Sequence, residues 1–227
     1  MDIQTTRSGS KILPWAEHGT KNQSIRSNKR NINTYPGLSC DIPGVFYSFS
    51  FDPYPGETFF PPQKEILAYL RRTSDTHGVT PHIVFNTFFA AARWDDEANN
   101  WKLTLKDVRT NESREETVDV LILAIGGLVV PNECNIRGAK DFQGPLFHSA
   151  RWRHDISLKD KNVIVIGNGC SASQIIPAVI DETKSITQFI RTPQWYLKTN
   201  NFKYPGWAKW VLKWIPGMLF FWRFVYL

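Results

Sequence analysis

The chain has 227 residues, enough for one large domain or two small ones, each with its own core. Hydrophobic residues at 42% and charged residues at 21% argue against a disordered chain, and three scattered cysteines with no CxxC pair argue against a disulfide scaffold or a structural zinc site. The formal charge is +6, yet no basic run interleaves with aromatics as in a nucleic-acid module, and a cofactor carrying several phosphates suits the same balance.

Residues 1–30 are polar and contain no apolar run of the secretory type, so they read as a poorly ordered tail without a signal peptide. With the sparse cysteines, this points to a reducing, cytoplasmic compartment. Residues 54–62, rich in proline and aromatics, read as a loop. Residues 63–76 place Ile66, Leu67 and Leu70 at helical spacing. Residues 82–89 are β-branched and aromatic and read as a strand. Residues 90–94, 101–108 and 116–125 continue as a small β-meander, with turns over 95–100 and 107–113. Its strongest strand is expected over 118–125, stopped by Gly126-Gly127, and a loop then runs to about residue 144.

Residues 161–166 contain four consecutive β-branched side chains, Val163-Ile164-Val165-Ile166, the pattern of a strand buried on both faces of a parallel sheet. Gly167-Asn168-Gly169-Cys170-Ser171-Ala172 follows at once. A helix is expected over 173–180, with Ile175, Ile176 and Val179 inward, and a second strand over 185–191. Residues 161–191 thus make one βαβ unit. The last stretch, 205–227, reads PGWAKWVLKWIPGMLFFWRFVYL. Its Lys209, Lys213, Arg223 and the Pro216-Gly217 break suit a helix pair rather than a membrane span. An anchor lying on a membrane surface is the alternative, because tryptophan and lysine at the borders are what that surface selects.

Gly167-x-Gly169-x-x-Ala172 is the dinucleotide fingerprint in its required place, after a strand and opening a helix. Gly167 permits the tight turn, Gly169 lets the backbone approach a pyrophosphate, and Ala172 allows close helix–strand packing. The unpaired N–H groups and dipole of the helix start favour the phosphates. Asn168, Cys170, Ser171 and Gln174 complete this candidate set. An NAD-binding protein carries a carboxylate about twenty residues further on; here that place holds Arg191-Thr192. A guanidinium and a hydroxyl suit the 2′-phosphate of NADPH. A glycine turn that binds nothing, and a solvated arginine at a strand end, are the plain alternatives.

Just upstream lie Phe142, Gly144, His148 and Trp152. Their order resembles the Baeyer–Villiger monooxygenase signature F-x-G-x-x-x-H-x-x-x-W, with Arg153 where the family has proline or aspartate. The stretch from Asn33 through Tyr35-Pro36-Gly37 to Asp41, and Tyr47 to Phe51, is similar to the family's flavin-side segment. Val84 to Thr87 with Ala92 to Asp95 and Trp101 resembles the segment near the adenine end of FAD, and Ala124-Ile125-Gly126 the turn between domains. The resemblance implies an α/β fold: an incomplete flavoprotein with two dinucleotide-binding (Rossmann-like) domains, a small β-meander and one clear βαβ unit. It assigns residues 31–144 to a partial FAD domain and 145–227 to a partial NADPH domain.

It further implies FAD and NADPH as cofactors, no metal, and a small-molecule ketone and O₂ as substrates, giving an ester or lactone. Oxygenation of nitrogen or sulfur, or a catalytically dead NADP-binding module, are the alternatives. Asp41 would lie by the flavin and nicotinamide, Tyr47 and Val84 would bind FAD, and His148 would couple NADPH binding to domain movement. The family's first glycine fingerprint, for FAD, is not found in this sequence; Ser8-Gly9-Ser10 follows no apolar strand, and 29–34 replaces the usual turn. No residue takes the role of the family's catalytic arginine. The resemblance therefore implies a truncated form with little activity alone.

Overall fold

The computed structural model describes residues 33–124, 131–196 and 200–225. They fall into two compact units, one drawn from residues 75–133 and the other from 33–74 with 134–227. These boundaries follow contacts, whereas the division at residue 144 is drawn by cofactor.

The first unit is an antiparallel sheet in the order β1-β2-β3: β1 Thr87–Asp95, β2 Asn100–Asp107 and β3 Ser113–Val118. Both expected turns are built by an aspartate. The Asp95 carboxylate accepts the N–H groups of Glu97 and Ala98, each at 3.1 Å, and Asn99 takes a positive φ of 50°. Asp107 does the same for Arg109 and Thr110 at 2.7 and 3.2 Å. Leu103 and Leu105, two apart on β2, point to one face and are buried.

Two expectations fail here. No strand covers 82–89 as a whole: Thr80–His82 is a 3₁₀ turn, Asn86 is left-handed, and β1 starts only at Thr87. Of the strand expected over 118–125, only Val118 is in a strand among the described residues. β3 spends its pairing on the polar residues Ser113 to Thr117 and stops at Val118. Val120, Ile122 and Leu123 beyond it are 74%, 82% and 60% exposed, with no described strand beside them, so apolar content alone does not hold them in a ladder. Ile125 and Gly126-Gly127 lie outside the described residues.

The second unit carries the βαβ motif. β4, Asn162–Ile166, pairs in parallel with β5, Ser185–Phe189, from Asn162↔Ser185 to Ile166↔Phe189. The crossover helix α2, Cys170–Val179, starts three residues earlier than expected, because Gly169 is its extended N-cap. Ala172, Ile175 and Val179 form its buried stripe, and Ile186 packs against it. Burial of both faces of β4 is not found. Ile164 and Ile166 are 57% and 55% exposed, since a two-stranded sheet with one crossover helix has a cover on one side only. The four β-branched residues specify the strand, and the number of layers over it is set elsewhere.

Beneath α2 lie Tyr35, Leu38, Trp152 and Leu158. A second core forms where α3, Gly206–Trp214, and α4, Met218–Val225, meet the loop expected over 54–62 and the 3₁₀ turn Gly44–Tyr47. It contains Val45, Phe59, Tyr204, Leu212 and Leu219. The expected break between the helices is present, with Gly217 at φ 79°. Arg223 explains the docking: its guanidinium donates to the Val45 carbonyl at 2.8 Å and to the Ser48 carbonyl and hydroxyl at 2.7 Å. Helix α1, Gln63–Thr76, is held by Asp52, which takes Arg72 at 3.1 Å and the Thr73 hydroxyl. Trp207, Trp210, Trp214, Phe220, Phe221 and Phe224 remain exposed on α3 and α4. No helix among the described residues is long and apolar enough to cross a membrane.

Candidate functional site

The glycine turn sits where β4 ends and α2 begins. Gly167 has φ 114°, a conformation that L side chains rarely adopt, and its N–H donates to the Phe189 carbonyl at 2.9 Å. A Cβ built on Gly167 or on Gly169 would meet nothing within 4 Å, so the space above both glycines is open. No side chain caps the start of α2. The first N–H groups of a helix have no partner within its own ladder, and here they belong to Cys170, Ser171 and Ala172, the Cys170 N–H also facing its own thiol. Ala172 is buried, as close packing at that step requires. Arg191 and Thr192 follow β5 on an exposed segment. The Arg191 side chain has no hydrogen-bond or ion-pair partner among the described residues.

The segment from Tyr35 to Ser39 packs directly on α2. Gln174 accepts the Tyr35 hydroxyl at 3.1 Å and the Ser39 N–H at 3.4 Å, and donates to the Ser39 carbonyl at 2.9 Å. The Ser171 hydroxyl reaches the Tyr35 hydroxyl at 3.3 Å. Gln174, expected at the cofactor, is thus tied into the protein. Asp41 lies against Cys170: their hydrogen bond keeps the proton on sulfur and raises the thiol above its ordinary value. One residue along, burial pushes the Cys40 thiol up to about 11, and the Tyr47 hydroxyl that bonds to it pulls the other way. Tyr47 is 40% exposed.

The signature upstream also acquires a geometry. A Cβ on Gly144 would lie 2.6 Å from the Phe142 ring, so the glycine makes room for that ring. His148 is exposed, and its Nδ1 accepts the Ala150 N–H at 3.1 Å, capping the turn Ser149–Arg151. Trp152 meets Phe147 edge-on at 5.4 Å and packs beneath α2 with Tyr35 and Val179. Arg153, the departure from the signature, is paired with Asp155 at 2.5 Å. Val84 lies in the other unit, half-buried just before β1.

This arrangement matches a known family. The sequence pattern described as flavin-binding monooxygenase-like covers residues 39–213. The chain belongs to that family.

Among the relatives of this monooxygenase-family chain, a Baeyer–Villiger monooxygenase of Streptomyces coelicolor is 40% identical over 166 residues, 73% of this chain and 31% of that protein. The FAD-binding monooxygenase ktnD of Aspergillus niger is 35% identical over 192 residues, 82% of this chain and 32% of that protein. In structure the chain is similar to OTEMO in complex with FAD and NADP, with a TM-score of 0.70 and 30% identity over 80% of this chain and 35% of that one. It is also similar to the NADP⁺-bound cyclohexanone monooxygenase of Rhodococcus sp. Phi1, with a TM-score of 0.69 and 29% identity over 80% and 34%. The chain therefore spans about a third of the length of the relatives it matches. Its fold is the Rossmann-like α/β fold of these flavoproteins, matched over that part.

The residues present fit the two cofactors unequally. For NADPH, an open glycine cradle, an uncapped helix start and a guanidinium without a partner among the described residues lie along one edge of the βαβ unit. On the FAD side, Asp41, Tyr47, Phe49 and Phe51 are exposed, and the Phe49 and Phe51 rings stack with centroids 5.0 Å apart. A second glycine turn for its pyrophosphate is not found in the sequence. Sequence reading missed Tyr196, whose hydroxyl donates to the Asn168 carbonyl, and the Tyr35–Gln174–Ser39 bonds. The latter join positions more than 130 apart in the chain, and no local pattern could signal them.

Proposed function

We propose that this chain supplies the NADPH site and the ring-side flavin surface of an FAD- and NADPH-dependent monooxygenase of the Baeyer–Villiger type. Such an enzyme inserts one oxygen atom of O₂ into a small-molecule ketone and yields an ester or lactone. On this reading residues 31–144 belong to the FAD side and 145–227 to the NADPH side. The observation that carries it is the open glycine turn at an uncapped helix start, one strand away from an arginine with no partner among the described residues. Bound FAD supplies the redox chemistry, taking hydride from NADPH and activating O₂. The residues of this chain bind and orient. The N–H groups from Cys170 to Ala172 hold the pyrophosphate, Arg191 and Thr192 take the 2′-phosphate, and Asp41 stands at the mouth of the turn. Tyr47 covers the flavin, Val84 contacts its adenine end, and His148 sits on the connection that responds to NADPH.

Two measurements test this. Titration of the chain with NADPH, followed by tryptophan fluorescence, should saturate, and Gly169→Val should abolish the change by filling the cradle. Exchange of residues 161–196 into the Streptomyces coelicolor relative should preserve NADPH-dependent ketone oxygenation. A folded chimera that no longer uses NADPH would overturn the assignment. Ester or lactone product separates the Baeyer–Villiger reading from oxygenation of nitrogen or sulfur.

A further inference from the structure

Asn168 lies between the two glycines of the turn, and it is 9% exposed. Its side-chain amide donates to the Thr192 carbonyl at 2.7 Å. Its own carbonyl accepts the hydroxyl of Tyr196. Next to it, the Gln188 amide donates to the Gly167 carbonyl at 2.9 Å. β5 ends at Phe189, so residues 190–196 leave the sheet before they reach Arg191 and Thr192, and 191–196 are exposed. A segment released from its ladder keeps a fixed course only where other bonds hold it. Among the described residues those bonds are the two at Asn168, one on each side of the 193–195 stretch.

We infer that Asn168 and Tyr196 form a clamp that positions Arg191 and Thr192 over the glycine turn and so sets the preference for a 2′-phosphorylated nucleotide. The inference rests on the NADPH reading above. Both residues act through others. Asn168 fixes the backbone of Thr192, and with it the direction in which the neighbouring guanidinium leaves the chain. Tyr196 closes the far end. An arginine on an untethered loop would still attract phosphate, but it would lose the fixed geometry on which a paired hydrogen bond depends. Discrimination between a 2′-phosphate and a 2′-hydroxyl is therefore the property that the clamp controls, while pyrophosphate binding at the helix start is not.

The test uses the full chain and two defined probes, 2′,5′-ADP and ADP, with affinities from calorimetric titration. Tyr196→Phe removes one hydroxyl and keeps the ring. It should lower the affinity for 2′,5′-ADP about fivefold, the scale of one hydrogen bond, and leave that for ADP unchanged. Asn168→Ala should lower the ratio of the two affinities further. Thermal melting of each variant reports whether the fold is kept. A purely structural role would weaken both probes together and leave their ratio constant, and that result overturns the clamp. If the unaltered chain binds 2′,5′-ADP no better than ADP, the NADPH reading falls and the clamp with it. If it prefers 2′,5′-ADP and Tyr196→Phe keeps the full preference, the NADPH reading stands and the clamp alone is refuted.

Discussion

A Cβ placed on Gly37 would stand 2.4 Å from the carbonyl oxygen of Gln174 and 3.0 Å from the Cβ of Ala178. Gly37 also has φ 78°, so its lack of a side chain is required twice, once for the turn and once for contact with α2. The segment around Gly37 and helix α2 are therefore in close backbone contact, and whatever moves one is felt by the other.

Gly37→Ala should destabilise the chain by about 2–4 kcal/mol, combining left-handed strain with overpacking. Gly138 has φ 82° with nothing within 4 Å of an added Cβ, so Gly138→Ala should cost only the strain, about 1–2 kcal/mol. Denaturant unfolding followed by circular dichroism compares the two. Equal losses would mean that the Gly37 contact carries no energy of its own.

Arg191→Ala should weaken NADPH binding about 10- to 100-fold, the scale of a lost charge-assisted pair, and leave NADH nearly unaffected. Titration of the variant with both nucleotides checks this. Parallel losses would show that Arg191 does not read the 2′-phosphate.

The contact between Asp41 and Cys170 has a chemical readout. A neighbouring carboxylate disfavours the thiolate, which is the species that reacts with alkylating agents. Asp41→Ala removes both the hydrogen bond and the charge, so the folded pKa of Cys170 should fall and its alkylation at pH 8 should speed up. Cys40, pushed up to about 11 mainly by burial, holds only about one thiolate per thousand at that pH and should stay slow in both proteins. Site-resolved mass spectrometry of iodoacetamide adducts follows both residues, with the exposed Cys134 as the internal reference. An unchanged Cys170 rate would place Asp41 away from it in solution.

The βαβ unit was legible because its signals are local. A β-branched run, two glycines and an apolar helical stripe lie within thirty residues, and the pair turns at Asp95 and Asp107 carry their own aspartate chemistry. The strand expected over 118–125 misled for the opposite reason: its apolar run marks a ladder position that only a partner strand can fill. Burial of β4 misled likewise, since Ile164 and Ile166 report the strand and not what lies above it. In the site, Gly167, Gly169 and Ala172 were readable from spacing. The roles of Asn168 and Gln174 were not, because Thr192, Tyr196, Tyr35 and Ser39 reach them from distant parts of the chain.

FAD should bind this chain far less firmly than NADPH does. A dinucleotide is gripped most strongly at its pyrophosphate, where backbone N–H groups and a helix dipole act on the same charge. The sequence shows one such fingerprint, Gly167 to Ala172, and on the proposed reading its arginine-bearing neighbour directs it to NADPH. On that reading the ring side is what remains for FAD: Asp41 is exposed, and Tyr47, Phe49 and Phe51 are each 40–45% exposed, with no second glycine turn among the described residues to anchor a phosphate. A flat ring stacking there gains contact area but no charge complementarity. The chain incubated with excess FAD and then desalted should carry well below one flavin per protein, and ketone-dependent NADPH oxidation should stay near background. Stoichiometric flavin after desalting, with steady turnover, would show that a phosphate-binding surface other than the Gly167 turn exists in this chain.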